Sequence, residues 1–336
     1  MIYLTRQYFN LCKIQFLILL SLQAMGSRHF LGRYVGQEKG PLLVAIGAMH
    51  GNEPAGVKGI ELMLKMLEVE PITHPDFVFK GRFLGLLGNP TAYQRRMRFV
   101  DVDMNRHWDP VRIRQQVQQP ELSRLVEDKA ILSLLRLLHE EIRHDQPTEV
   151  VLLDLHTTSS TGGIFTIAGN EPDSQELAVE LPAPVILGLA DQLQGTLLQY
   201  FKSVRLDVPI RTISFEAGHH TDPLSVNRCI AALTCCMRAI GCVRPHDVES
   251  QHMRILLDQA DGLPKLTRLV YRHSIQPEDR FVMEPNYSNF RPVQKGELLA
   301  YDSQGAVVSP YDGRILLPLY QKQGDDGFFI VQDVQL

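Results

Sequence analysis

The sequence predicts an α/β fold, a mostly parallel mixed sheet flanked by helices, with a smaller C-terminal all-β domain. Three observations predict it. Short apolar runs ending in Gly or polar residues recur between residues 41 and 218, helical periodicities fill the intervals, and beyond about residue 260 turn-separated strand-like pieces take over. Strand and helix in alternation imply a sheet covered on both faces. With 336 residues, 44% apolar and 21% charged, the chain is long enough to bury one large core and a smaller second one. The expected boundaries are 1–25 for a leader or a mis-assigned start, 26–258 for a catalytic α/β domain and 259–336 for the β domain.

The first segment carries Arg6 and Lys13 ahead of an apolar run from Ile14 to Leu22. That run is short of the ~20 residues a stable membrane span needs, and Leu22 fits poorly before a cleavage after Ala24. Met25 follows directly, so a start codon assigned upstream is weighed against a working export signal. The expected location is the cytoplasm, with export as the alternative.

The strands are read at PLLVAIGA (41–48), GRFLGLLG (81–88), EVVLLDLH (149–156), PVILGLA (184–190) and VPIRTISFEAG (208–218). Between them, PAGVKGIELMLKML opens a helix with Pro54 in its first turn. VEDKAILSLLRLLHEEIRH repeats apolar residues at three and four, with acids early and bases late. SVNRCIAALTCCMRAIGC gathers Cys229, Cys235, Cys236 and Cys242 at helical spacing. Without a CxxC pair it reads as a packed core helix with reduced thiols, in preference to a cysteine-zinc site. After residue 260, LTRLVYRHSI, ELLAYD, AVVSP, GRILLPLY and GFFIVQDV are separated by hairpin signals. The piece from Pro292 to Leu319 resembles the small barrel of lipoyl and biotinyl carriers, but no lysine sits at a modifiable tip, so it is read as a shape-giving β unit.

A formal net charge of -4 provides no basic field for a nucleic-acid backbone. Nucleic acid is excluded as an expected partner, and homo-oligomerisation is left open.

The chemistry collects at strand ends, where α/β sheets hold their ligands. In GAMHGNEPAG, His50 and Glu53 stand three apart across a turn containing Gly51. That spacing lets an imidazole nitrogen and a carboxylate oxygen face one ion at about 2.0–2.2 Å. In LLDLHTT, His156 supplies a third ligand, and Asp154, two residues before it on the same strand face, is placed to accept the other ring N–H of a metal-bound imidazole or to brace the neighbouring chain. Three protein ligands leave one position open, the arrangement of a catalytic zinc. Glu216, in TISFEAGHH, falls at the end of another strand and fits the general base that such a zinc site needs. His219 and His220 beside it are read as loop histidines, with an alternative ligand or a proton shuttle as the other readings.

The segment QRRMRFVDVDMNRHW carries Arg95, Arg96, Arg98, Asn105 and Arg106 among Asp101 and Asp103. Phe99, Val100, Val102 and Met104 alternate with the acids, which predicts a strand delivering Asn105 and Arg106 to the cleft. Asn105 and Arg106 suit a substrate carboxylate, and Arg98 suits the scissile carbonyl or its oxyanion.

GAMHGNEPAG, GNPTAYQRRMRFVDVDMNRHW, DLHTT and SFEAG, in this order, resemble the succinylglutamate desuccinylase and aspartoacylase family, a branch of the zinc carboxypeptidase clan. The resemblance covers roughly Gly36 to Val331. It implies a zinc-carboxypeptidase-like fold with one Zn2+ per subunit on His50, Glu53 and His156. It also implies Glu216 as general base, Arg98 at the scissile carbonyl, and Asn105 and Arg106 on a substrate carboxylate. The expected reaction is hydrolysis of an N-acyl amino acid or a related small amide, with a zinc carboxypeptidase or amidase on peptides and a catalytically silent binding protein as alternatives. Relatives of the aspartoacylase type read their substrate with a tyrosine from the C-terminal region. Here Tyr320 is out of register, Tyr287 and Tyr311 are looser candidates, and Asp325 and Asp326 stand in that stretch.

Overall fold

The computed structural model describes residues 28–334 apart from 170, 205, 248 and 249. The leader or mis-assigned start expected at residues 1–25 lies outside them. Among the described residues, no helix is long and apolar enough to cross a membrane.

In chain order the strands are β1 (Phe30–Val35), β2 (Glu38–Gly47), β3 (Lys80–Leu87), β4 (Val150–Thr158), β5 (Phe165–Ala168), β6 (Val185–Leu187), β7 (Ile210–His219), β8 (Leu266–Ser274), β9 (Val282–Met283), β10 (Pro292–Val293), β11 (Leu298–Asp302), β12 (Gly305–Val308), β13 (Gly313–Leu316) and β14 (Asp326–Asp333). Eleven of them form one sheet in the order β1-β3-β2-β4-β7-β5-β6-β8-β14-β13-β10, and β12-β11-β9 form a small second sheet. The pairs β2–β3, β2–β4 and β4–β7 are parallel, so their carboxyl ends share one edge of the molecule. That edge carries the site.

The principal helices are α1 (Pro54–Thr73), α2 (Pro90–Arg95), α3 (Val126–Asp145) and α4 (Leu224–Ala239). Alternate strand residues divide between two helix layers, as period-two side chains must. Leu43, Ala45, Phe83, Leu153 and Phe215 pack under α1 and α4, through Ile60, Met63, Cys229 and Leu233. Leu42, Val44, Ile46, Leu84 and Leu152 pack under α3, through Ile131, Leu134, Leu135 and Leu138. Burial on both faces explains why the parallel strands read as unbroken apolar runs. Pro54 opens α1, and α3 has Glu127 and Asp128 in its first turn with Arg143 and His144 in its last, the charge order a helix dipole favours. The cysteine-rich segment is the core helix α4, with Cys229, Cys235 and Cys236 buried as free thiols and Cys242 buried just beyond it.

Two arrangements differ from the expectation. The strands after residue 258 do not all stand apart: β8 pairs with β6, and β14, β13 and β10 carry the main sheet onward, leaving β9, β11 and β12 as the smaller sheet. The cause is the FFIV run of β14. It is buried on both faces, Phe329 and Val331 against the α3 side, Phe328 and Ile330 against Leu299 and Ile315. Residues 99–104 form no strand; they make a loop that tightens into a 3-10 turn at Met104–Arg106. Its backbone is satisfied by a side chain in place of a neighbouring strand. Glu127, fully buried at the start of α3, accepts the N–H groups of Val100, Asp101 and Val102 at 2.8, 3.1 and 3.3 Å, and Asn89 Nδ2 at 3.0 Å. The alternation of acids and apolar residues therefore marks a braced loop.

Candidate active site

Beyond the end of β2 the chain turns sharply through Ala48, whose φ of 54° is left-handed for a residue with a side chain. Gly51 follows His50 in a place where a Cβ would lie 2.0 Å from the Ala92 carbonyl carbon, so only glycine lets this turn pass over α2. The Glu53 N–H closes the turn on the His50 carbonyl at 3.2 Å, and α1 begins immediately afterwards. His50 and Glu53 are thereby fixed side by side. His156 comes from β4, where it stands in register with Glu216 of the neighbouring β7. The four residues that sequence spacing singled out meet at one strand edge.

Their contacts form a consistent pattern. Glu53 Oε1 lies 2.9 Å from His50 Nδ1, and Glu53 Oε2 lies 3.0 Å from His156 Nδ1. The other ring nitrogen of each histidine faces an aspartate: His50 Nε2 is 3.1 Å from Asp103 Oδ1, and His156 Nε2 is 2.8 Å from Asp154 Oδ2. Glu53 Oε2 also accepts the Thr157 N–H at 3.0 Å. Asp154 thus engages the far nitrogen of His156. Asp103 does the same for His50, a role its sequence position did not reveal, because it belongs to a loop whose path only the Glu127 brace fixes.

Arg98 is held in this network by Asp103, with Nε and Nη2 at 3.2 and 2.9 Å from Oδ2, and its Nη1 lies 3.7 Å from Glu53 Oε1. Asn105 is buried, and its Oδ1 accepts the Leu197 N–H at 3.1 Å, which orients the amide and leaves Nδ2 as its remaining donor. Arg106 Nη1 donates to the Asn105 carbonyl at 3.0 Å, and Nη2 donates to Asp326 at 2.8 Å. Its Nε is buried without a partner.

Ionisation follows from burial and charge. Burial opposes the charge on Glu53, but the two histidines outweigh it and hold the carboxyl well below its ordinary range. For His156, burial pulls downward, and Asp154 and Glu53 outweigh it to hold the imidazole well above 6.5. Glu216 is the exception. Burial, with Glu53 and Asp154 adding to it against the pull of His156 and Arg98, pushes its carboxyl up to about 8. Its Oε2 is buried without a hydrogen-bond partner. A carboxyl held in this state, at the wall of a cleft, is a group placed to exchange protons.

These residues fit a divalent cation. One donor atom each from His50, Glu53 and His156 lies within 4.8 Å of the others, all three side chains are buried, and each imidazole has its far nitrogen tied to a carboxylate. Four carboxyl groups, those of Glu53, Asp103, Asp154 and Glu216, are buried here around Arg98, a concentration of acidic groups that such an ion would offset.

The cavity over this cluster is lined by His50, Glu53, Arg98, Asn105, Arg106, His156 and Glu216, so every expected metal, catalytic and substrate residue reaches one space. Part of its wall comes from beyond residue 258, including Leu319, Gln321, Asp326 and Phe329. The three tyrosines considered from the sequence are not among its lining. Tyr320 donates to the Glu284 carbonyl, Tyr287 donates to the Leu298 carbonyl, and Tyr311 is exposed. Gln321, next to Tyr320, accepts from Asn52 Nδ2 at 2.9 Å and lies 3.3 Å from His220 Nε2. His220 is thus a link between β7 and the 317–325 segment, and its Nδ1 lies 2.7 Å from Thr157 Oγ1. His219 lies against Thr221.

A model of the succinylglutamate desuccinylase/aspartoacylase catalytic domain matches residues 39–197. A probable aspartoacylase of Nostoc sp. is 30% identical over 126 residues, 38% of this chain and 38% of that protein. One from Synechococcus sp. is 32% identical over 147 residues, 42% of this chain and 45% of that protein. The chain therefore matches less than half the length of these curated relatives. Among solved structures, the product-bound ectoine utilization protein EutE (DoeB) of Ruegeria pomeroyi superposes with a TM-score of 0.60 at 16% identity, covering 88% of this chain and 86% of that one. The succinylglutamate desuccinylase of Chromobacterium violaceum does so with a TM-score of 0.57 at 18% identity, covering 96% and 98%. At these identities the structures speak for the fold.

Proposed function

We propose that this chain, a member of the succinylglutamate desuccinylase/aspartoacylase family, is a zinc-dependent amide hydrolase that removes the acyl group from an N-acyl amino acid or a related small amide. The observation that carries the reading is the convergence of His50, Glu53 and His156 beside an unpartnered, proton-holding Glu216. Two imidazoles and one carboxylate are the donors of a catalytic zinc. Zinc bound there polarises a carbonyl oxygen and makes water acidic near neutral pH.

The chain's own residues account for the remaining work. Asp103 and Asp154 accept the Nε2–H of His50 and His156, which leaves the two Nδ1 atoms facing Glu53 as the metal donors. Glu216 Oε2 takes a proton from the attacking water and returns it to the leaving nitrogen; the bond broken is the amide C–N, and the products are a carboxylate and an amine. The Glu216 carboxyl, held up at about 8 without metal, would be drawn down by the positive charge of an ion on His50, Glu53 and His156 and so serve as a base at neutral pH. Arg98, locked by Asp103 through Nε and Nη2, has Nη1 left for the developing oxyanion. Asn105 Nδ2 and the unpartnered Arg106 Nε hold one substrate carboxylate. Residues between His50 and Glu216 bear these groups, and residues between Leu317 and Phe329 close part of the cavity.

The test is a metal assay joined to a panel of N-acyl amino acids and short peptides. Zinc-dependent release of amino acid from the acylated compounds is expected. Cleavage of peptides alone would replace this reading with a peptidase, and loss of no activity in Glu216→Gln would remove the assigned base.

A further inference from the structure

Arg106 does not present an open fork to the cavity. Its Nη2 donates to Asp326 Oδ2 at 2.8 Å, and Asp326 Oδ1 receives Arg272 Nε at 2.6 Å. Arg272 is itself anchored by its Nη1 on the Gln192 carbonyl. Asp326 is only 8% exposed, and as the first residue of β14 it pairs with Ser274 of β8, so its carboxylate is a fixed part of the main sheet. The place beside Arg106 that a second substrate carboxylate would take is filled by one of the protein's own.

Charge points the same way. Asp326 sets its carboxylate between the guanidiniums of Arg106 and Arg272, so the positive charge at this end of the cavity is already partnered within the protein. Ile167, Leu193, Leu198, Leu317, Leu319 and Phe329 give the wall an apolar share alongside its hydroxyl and amide groups.

We propose that Asp326 is a specificity-determining residue that closes the Arg106 subsite to a second carboxylate, so that the cavity takes N-acyl amino acids whose variable arm is uncharged and apolar. The proposal rests on the amide-hydrolase reading above. It separates this chain from an enzyme for acylated dicarboxylic amino acids by one aspartate and the apolar share of the cavity wall.

N-acetyl-leucine and N-acetylaspartate are the probes, used on the full zinc-loaded chain and on Asp326→Asn, which keeps the shape and removes the charge. In the wild type, kcat/KM is expected to favour N-acetyl-leucine by about 100-fold, and D326N to narrow that ratio about tenfold by gaining on N-acetylaspartate. A wild type that prefers N-acetylaspartate, or a folded D326N with an unchanged ratio, would overturn the proposal. If D326N fails to fold, the wild-type ratio decides. Calorimetric binding of both compounds to metal-free protein, which cannot turn them over, separates the two readings. If neither compound is hydrolysed while N-acetyl-leucine binds more tightly, the hydrolase reading fails and the selectivity stands; tighter binding of N-acetylaspartate overturns the selectivity.

Discussion

Replacing Glu127 with alanine should unfold the active-site loop from a distance. The Glu127 carboxylate is fully buried and accepts four donors, the N–H groups of Val100, Asp101 and Val102 and the Asn89 side chain. A hydrogen bond to a charged group is worth about 1.5–3 kcal/mol, so four would exceed about 6 kcal/mol if nothing compensated. Two things do. The carboxylate no longer has to be desolvated, and residues 100–102, which are partly exposed except for the rim position Asp101 that is open to solvent, let water reach some of the freed N–H groups. The expected loss is therefore about 3–5 kcal/mol, the usual cost of removing one side of a buried charged network. Urea unfolding measures it, and a fall in melting temperature on the order of 10 °C should accompany it. Glu127→Gln should recover little, because its amide nitrogen would meet N–H donors. Hydrolysis should fall further than stability alone explains, since Arg98, Asp103, Asn105 and Arg106 all ride on this loop. A Glu127→Ala protein within about 1 kcal/mol of the wild type would refute the argument that this carboxylate organises the loop.

Asp103→Asn and Asp154→Asn should each weaken zinc binding about 10–100-fold in a competition titration, because each frees the far nitrogen of one ligand imidazole; equal affinity in both would mean the aspartates only fill space. The raised Glu216 carboxyl binds its proton more tightly in the folded chain than at its ordinary value of 4.5, so its own contribution to metal-free stability is fully present below about 4.5 and is lost as pH rises through about 8. Unfolding wild type and Glu216→Gln side by side from pH 4 to 9 should show that loss in the wild type only, and parallel curves would contradict it. Burial pushes the thiols of Cys235 and Cys236 up to about 11 and 12, with Cys229 and Cys242 raised further. Alkylation at pH 8 should leave all four untouched in the native protein and label them after denaturation, as read by peptide mass; native labelling would show that α4 opens.

What the sequence made legible was what local spacing and local patterning encode. His50 with Glu53, and Asp154 with His156, are pairs whose geometry is set within a turn or a strand, and the apolar runs that carry them report burial on both faces directly. Gly51 and Pro54 announced the turn and the helix start in the same way. The less legible parts depend on residues far apart in the chain. Asp103 looks like any acid in a charged stretch until the loop path brings it to His50, 53 residues away. Glu127 reads as a helix-start acid, which it is, while its second use as a cap for residues 100–102 leaves no trace in its own neighbourhood. The alternation at 99–104 satisfied the strand pattern because a braced loop also needs apolar residues turned inward. Asp326 stood in view as an acid in the stretch searched for a tyrosine, yet its pairing with Arg106 spans 220 positions and depends on β14 joining the main sheet. Strand pairing of that range is set by which faces are buried, and short hairpin signals cannot report it.

The central claim, that His50, Glu53 and His156 hold a zinc whose chemistry Glu216 completes, is tested most directly by metal content and hydrolysis measured together on wild type and Glu216→Gln. Both proteins should bind one zinc per chain, chelation should abolish wild-type hydrolysis and added zinc restore it, and Glu216→Gln should stay inactive with its metal in place. Full hydrolysis by the metal-free protein, or by zinc-loaded Glu216→Gln, would contradict it.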